Sequence, residues 1–255
     1  MKSINLPKGK NIYFTSDHHF GAPNPRASKP RELRFVKWLD EIKDDASVIF
    51  ILGDLFDFWF EYKRVIPKGF TRVLGKLAEL TDRGIEIHFF VGNHDLWMND
   101  YFEEELNIIV HHKPKQFQLN KSLFFIGHGD GLGPHDKGYK RLKKVFVNPF
   151  FQWLYRWLHP DIGVRFAQYL SLKNKLISGD DDIKFLGEKK EWLVQYAQKK
   201  LEENHFDYFV FGHRHLPLDI QLNPKSKYIN LGDWITHFTY GVFDGKELFL
   251  KKLES

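Results

Sequence analysis

The 255-residue chain contains no cysteine. Disulfides and thiolate ligands are therefore excluded, and any metal would be held by imidazole, carboxylate or amide oxygen. The absence also fits a reducing, intracellular setting. No stretch reaches the roughly 18 apolar residues of a membrane span, and residues 1–14 carry no apolar core of signal-peptide length. A soluble or peripheral protein is expected. Internal repeats, low-complexity tracts and long linkers are missing as well, which predicts a single domain, 1–255, large enough to bury a real core.

Positive charge is present but unevenly placed. The net charge is +5, yet residues 137–175 hold nine Lys/Arg against Asp161 alone, +8 in all, leaving −3 for the rest. This stretch is read as the heart of an insertion, 131–179. Asn148-Pro149 predicts a helix start and Pro160 its close, with Phe150, Trp153, Leu154, Trp157 and Leu158 on one face between them. That face either packs on the domain, as apolar stripes commonly do, or belongs to a lid. As a lid, its aromatic face would meet acyl chains while Lys137, Lys140, Arg141, Lys143, Lys144, Arg156 and Arg165 meet lipid headgroups. The charge points to an anionic partner: a membrane surface, a phosphorylated substrate or a nucleic acid.

The chain is organised around Val48-Ile49-Phe50-Ile51-Leu52-Gly53-Asp54. Five apolar residues in a row predict a strand buried on both faces, and a carboxylate at its carboxyl end sits where open α/β sheets place their sites. Alone, Gly53-Asp54 reads better as a solvated turn. Four further polar clusters follow apolar runs in the same way. Asn11 to Thr15 delivers Asp17-His18-His19, and Ile85 to Val91 delivers Asn93-His94-Asp95. Leu123 to Ile126 delivers His128-Gly129-Asp130, and Tyr208 to Phe211 delivers His213-Arg214-His215. Asp17 and His19, like His213 and His215, are two apart and share one side of an extended chain. Five such clusters can meet at one edge of a sheet. Asp57, in the aromatic turn Leu55 to Phe60, is expected to orient a ligand from behind, and most of that turn's rings are expected in the core.

Elsewhere the periodicity predicts helices and strands in alternation. Residues 20–30, with Gly21, Pro23, Pro25 and Pro30, read as loop. A helix presenting Leu33, Val36, Leu39 and Ile42 follows, and a second spans about 69–83 and stops at Gly84. A third is expected from Ile183 to Asn204. Strand, helix, strand indicates α/β crossovers, and the close turns after Ile108 indicate antiparallel pairing, hence a mixed sheet. From Leu218 the tail reads as an antiparallel meander containing Leu231-Gly232-Asp233-Trp234.

Asp17, His19, Asp54, Asn93, His128, His213 and His215 are seven oxygen or nitrogen donors, more than one ion needs. They suit two ions sharing Asp54. Mixed imidazole and carboxylate donors suit Mn²⁺, Fe²⁺ or Zn²⁺ alike, and Mg²⁺ less. Two such ions roughly 3.5–4 Å apart would lower the pKa of a bridging water and clamp a phosphoryl group for in-line displacement. The expected reaction is hydrolysis at phosphorus. His94, adjacent to Asn93, should point away from the ions and hold the phosphate or protonate the leaving group, with Asp95 orienting it.

In this order, Asp17-x-His19, Gly53-Asp54, Gly92-Asn93-His94-Asp95, Gly127-His128 and Gly212-His213-x-His215 resemble the calcineurin-like metallophosphoesterases, over nearly the whole chain outside the insertion. The resemblance implies a four-layer α/β/β/α sandwich of mixed sheets with a dinuclear centre at the strand ends. It assigns Asp17, His19, Asp54 and His215 to one ion and Asp54, Asn93, His128 and His213 to the other. Within the family, Gly53-Asp54-Leu55-Phe56-Asp57-Phe58-Trp59, the basic insertion after His128-Gly129-Asp130, and Leu231-Gly232-Asp233-Trp234 resemble a Mn²⁺-dependent branch. That branch cleaves the pyrophosphate of UDP-2,3-diacylglucosamine to UMP and 2,3-diacylglucosamine 1-phosphate in lipid A synthesis. It implies substrate contacts at Asn93, His94, Asp136 and Tyr139, and a peripheral place on the cytoplasmic face of the inner membrane. The best-known form of the branch has Arg where His94 stands; His is the general family residue. A different phosphodiester or a nucleic acid is the alternative substrate, since basic and aromatic side chains also neutralise and stack on nucleic acid.

Overall fold

Strand β3 (Ala46–Ile51) shows why the two-faced burial pattern arises. Val48, Phe50 and Leu52 face one apolar layer while Ile49 and Ile51 face another, as alternation along a strand requires. The computed structural model describes residues 1–133, 137–166, 185, 187–188 and 190–254, with backbone only at 137–139 and 141–142.

Two six-stranded mixed sheets result. One has the order β12-β11-β2-β3-β4-β5, built from β2 (Asn11–Thr15), β3, β4 (Glu86–Phe90), β5 (Ile109–His111), β11 (Thr239–Phe243) and β12 (Leu248–Lys252). Its strands β2 to β5 run parallel, and β11 and β12 close one side antiparallel. The other has the order β1-β6-β7-β8-β10-β9, from β1 (Lys2–Ile4), β6 (Lys115–Leu119), β7 (Ser122–Ile126), β8 (Tyr208–Phe211), β9 (Pro217–Asn223) and β10 (Ser226–Leu231). Here β7, β8 and β10 run parallel.

The sheets face each other across a layer that includes Phe14, Phe50, Phe124, Val210 and Ile229. Helices α1 (Pro25–Ile42) and α2 (Thr71–Asp82) cover the outer face of the first sheet with Phe35, Trp38, Val73 and Leu77, and the short α3 (Tyr101–Glu104) adds Phe102. Helix α6 (Trp192–Glu203) covers the second sheet through Leu193, Val194 and Ala197. Four layers thus enclose three apolar seams. Each large side chain fully buried there contributes about 1.5–3 kcal/mol relative to exposure.

Several local expectations are corrected. The sandwich of two mixed sheets implied by the family resemblance is what forms, and the strand-end clusters leave both sheets rather than the edge of one, because β7 and β8 pair with β6 and β10 and not with β4. The close turn after β5 likewise passes from one sheet to the other, and the tail forms two hairpins in different sheets, β9–β10 and β11–β12, instead of one meander. Helix α1 begins at Pro25, since the Asn24 side chain accepts the Ala27 N–H and a proline suits the first turn. Its buried face is Ser28, Glu32, Phe35, Trp38, Leu39 and Ile42, while Leu33 is exposed. Pro160 opens a helical stretch at 160–166 instead of closing the helix before it.

The basic segment contains α4 (Lys137–Phe146) and α5 (Pro149–Tyr155), the latter capped by Asn148 as its sequence predicts. Of the two readings of its aromatic stripe, packing on the domain is not observed. Phe150, Trp153, Leu154, Trp157 and Leu158 are all exposed, Trp157 by 74%. The segment docks by other residues: Trp97 Nε1 donates to the Phe146 carbonyl, Tyr155 packs between Phe60 and Trp97, and Lys143 pairs with Asp130. Residues 134–136 and 167–179 of the expected insertion lie outside the described residues, as do the first residues of the helix expected from Ile183; α6 begins at Trp192. Among the described residues no helix is long and apolar enough to cross a membrane.

Candidate metal centre

Three of the five strands that deliver a polar cluster, β2, β3 and β8, lead into left-handed backbone just beyond their ends. Asp17, His19, Asp54, His213 and His215 have φ of 55°, 46°, 51°, 69° and 54°. Side chains other than glycine rarely adopt this conformation, and where they do it clusters at functional sites. The turns also come close together. Gly53 has φ of 83°, and a Cβ there would stand 2.7 Å from His128 Nδ1 and 2.8 Å from the Gly92 backbone. Glycine at 53 thus lets the β3 turn pass beside the β4 and β7 turns.

The side chains converge. Asp54 Oδ1 accepts the His94 N–H at 2.9 Å, which leaves Oδ2 facing His128 Nε2 at 3.4 Å and His19 Nε2 at 3.6 Å. Asp17 Oδ2 accepts the Ser16 hydroxyl and the His213 N–H, leaving Oδ1 3.6 Å from His215 Nε2. His19 and His215 place their Nε2 atoms 3.3 Å apart, and Asn93 Oδ1 lies 3.1 Å from His128 Nε2.

The opposite nitrogens are held from behind. His128 Nδ1–H donates to the Leu52 carbonyl at 2.6 Å, His215 Nδ1 lies 3.3 Å from Asp233 Oδ2, and His19 Nδ1 lies 3.5 Å from Asp57 Oδ1. Such partners fix the tautomer and direction of ligating imidazoles. Asp233 is itself pinned, because its Oδ1 accepts the N–H groups of Ile235, Thr236 and His237.

The residues therefore group as a metal site requires. Ligand atoms of Asp17, His19 and His215 lie within 4.8 Å of one another, and so do those of Asp54, His128 and His213. A third group joins His19, Asp54 and His94, so the structure brings His94 to the cluster as well. The electrostatics fit a divalent cation. Asp17 Oδ1 is buried with no hydrogen-bond partner among the described residues. Burial disfavours the Asp54 carboxylate, but the His128 and His94 imidazoles outweigh it and hold its pKa well below the usual range. Burial also works against a charged His128, yet the Asp54 carboxylate pushes it up to about 10. Burial and the neighbouring His128 push His213 down to about 3. A proton on His128 thus supplies positive charge that a cation would supply in its place.

One orienting role is corrected. Asp95 accepts from the backbone N–H groups of Gly92 at 2.6 Å and Leu55 at 3.1 Å, tying the β3 and β4 turns together. The His94 ring is oriented instead by the Asp57 carbonyl, to which Nδ1–H donates at 2.8 Å. Asp136 and the Tyr139 side chain lie outside the described residues. Sequence reasoning left Asp233 out of the site, although its Gly-Asp signature after a β run was visible. The Leu52 carbonyl carried no sequence signal at all.

Comparison with known proteins follows this geometry. A profile of the calcineurin-like phosphoesterase family matches residues 10–217. A curated UDP-2,3-diacylglucosamine hydrolase of Porphyromonas gingivalis is 40% identical over 95% of this chain and 97% of its own. Another from Actinobacillus succinogenes is 26% identical over 87% of this chain and 91% of its own. Among solved structures, a dimetal phosphatase from Danio rerio aligns at a TM-score of 0.44 and 13% identity, covering 96% of each chain. With the family profile spanning most of the sandwich and the strand-end donors gathered in its cleft, the chain belongs to the calcineurin-like phosphoesterases and is a hydrolase with a site for divalent metal.

Proposed function

We propose that the chain hydrolyses the pyrophosphate of UDP-2,3-diacylglucosamine, releasing UMP and 2,3-diacylglucosamine 1-phosphate, a step of lipid A synthesis. The observation that carries the substrate class is a buried cluster of phosphate-active donors beside an exposed aromatic and basic surface. Phe150, Trp153 and Trp157 are exposed on α5 and just beyond it, and Lys144 and Arg156 flank them in sequence. Such a face suits acyl chains and anionic headgroups together. The similarity to relatives named for that substrate supports the same reading.

Two divalent cations are proposed, Mn²⁺ by preference and Fe²⁺ or Zn²⁺ as alternatives. Asp17, His19, Asp54 and His215 would hold one and Asp54, Asn93, His128 and His213 the other. Bound there, they supply Lewis acidity toward phosphorus and activate water. The chain does the rest. Asp54, whose Oδ2 faces both His19 and His128, would serve both positions. His94, its Nδ1–H spent on the Asp57 carbonyl, keeps Nε2 to bind a phosphate oxygen or to give a proton to the leaving group.

In this reading residues 1–255 form one domain whose 131–179 segment acts as a lid, with Asp136 and Tyr139 toward the substrate. The protein works peripherally on the cytoplasmic face of the inner membrane. The test runs Mn²⁺-loaded protein side by side on UDP-2,3-diacylglucosamine in detergent, the deacylated UDP-sugar and a generic phosphodiester. UMP release from the acylated substrate alone is the expected result. Turnover confined to the generic ester would overturn the substrate and leave a phosphodiesterase or nuclease. In the same assay, His94→Ala should lose rate while metal content holds; loss of metal would make His94 a ligand.

A further inference from the structure

Between His213 and His215 the chain carries a side chain that metal binding does not use. Arg214 is buried, and so is its partner: Arg214 Nε donates to Glu191 Oε2 at 2.9 Å and its Nη2 to Oε1 at 3.0 Å. The two flanking histidines are in left-handed conformations, and Arg214 N–H donates back to the Gly212 carbonyl at 2.8 Å. A tight turn that sends its first and third side chains into a site must send the second one out. Glu191 is what holds it there.

Glu191 stands one residue before Trp192, the start of α6. The Trp192 ring meets the His213 ring edge-on at 5.5 Å between centroids. Leu193 lies against the turn of His128, 3.0 Å from where a Cβ on Gly129 would be. The first turn of α6 thus meets the His213 ring and packs beside Gly129, the residue that follows His128. His215 is secured differently, by Asp233 and that residue's own backbone hydrogen bonds.

Stability alone does not account for a buried ion pair, because apolar side chains of similar volume commonly do as well. What the pair adds is direction: a planar guanidinium gripped at two points by a carboxylate fixes where its backbone turn lies. We infer that Glu191 and Arg214 are positioning residues for one half of the metal centre, setting His213 and the His128 turn for the Asp54/His128/His213 position, while Asp233 sets the Asp17/His19/His215 position. This rests on the two-cation reading above.

The test is Mn²⁺ titration of the full chain, followed by electron paramagnetic resonance and metal analysis, with melting of the metal-free protein alongside. Glu191→Gln and Arg214→Lys should each weaken one of two ions by about 10–100-fold, the cost of losing a partner behind a ligand, and leave the other within about threefold. The spin-coupled signal of a paired centre should give way to that of a single ion. Adding Asp233→Asn to Glu191→Gln should release the remaining ion. The apolar pair Glu191→Leu with Arg214→Met should keep the parent's melting temperature and still lose the first ion. If the parent binds two ions and the single variants bind both as tightly, or weaken both only in step with melting temperature, the inference is overturned. A parent that binds a single ion overturns the two-cation reading itself.

Discussion

Histidine and carboxylate meet in two regions of this molecule with opposite results. At the strand ends, the Nδ1 atoms of His19, His128 and His215 are turned toward Asp57, the Leu52 carbonyl and Asp233, so their Nε2 atoms converge. Between β4 and β5, Glu86 Oε1 meets His88 Nε2 at 2.5 Å, and His88 Nδ1 meets His111 Nε2 at 2.8 Å. That chain is linear and uses both nitrogens of His88, so nothing converges. Burial pushes His88 down to about 4, and burial with the neighbouring His88 pushes His111 down to about 3. Both rings are held neutral, beside a cavity of about 510 Å³ lined also by Lys2, Lys115 and Phe117. Residue type does not separate a ligand from a structural histidine. The backbone does: the first group sits in turns beyond the strand ends, left-handed at His19 and His215, that aim it at a point, whereas a regular strand carries His88 along a line.

The largest break in the comparison comes from Asp54→Asn. It removes the one carboxylate that faces both His19 and His128. Hydrolysis should fall well beyond the roughly 10- to 100-fold cost of losing a partner behind a ligand, and bound metal should drop with it. Circular dichroism should show the fold intact, since Asp54 sits at the end of β3 and not within its ladder. Full turnover by this variant would sink the dinuclear reading.

How much of this was legible in the sequence follows from where each signal resides. The strand-end donors were readable because each follows an apolar run, and period-two burial makes such runs unambiguous. Pairing was not readable, since β7 looks the same locally whether it lies beside β4 or across from it; only the packing of Phe124 against Phe14 decides. The start of α1 was misplaced because Pro25 reads as a loop signal until Asn24 is seen capping it. The orienting partner of His94 was not readable, because it is a backbone carbonyl, a group that every residue carries and no sequence marks.

A smaller effect should separate the two histidine groups by acid. Unfolded, His88 and His111 titrate near 6.5; folded, they take up protons only near pH 4 and 3. Between those values the unfolded chain binds more protons, so acid favours unfolding. Their contribution is intact above pH 6.5 and is lost as pH falls toward 4 and then 3. Each imidazole should account for about 2 kcal/mol between pH 7 and 5. Urea unfolding of chelator-treated protein at the two pH values measures this, and His111→Gln should lessen the difference by at least one imidazole's share. An unchanged difference would mean that His111 takes up its proton as readily in the folded chain as in the unfolded one.

The smallest expected effect is the sharpest test of the contrast. A cation bound only by the folded chain, at one hundred times its dissociation constant, stabilises it by about 2.7 kcal/mol per site. His111→Gln should lower the baseline by about 1–3 kcal/mol through the disturbed buried hydrogen bond. The increment gained on adding Mn²⁺ should nevertheless match the parent's, because among the described residues no ligand group includes His111. Asp54→Asn should do the reverse, keeping the fold and losing the increment. If His111→Gln also reduced the increment, the linear chain of Glu86, His88 and His111 would be holding a cation after all, and convergence of ring nitrogens would no longer mark which histidines in this fold are ligands.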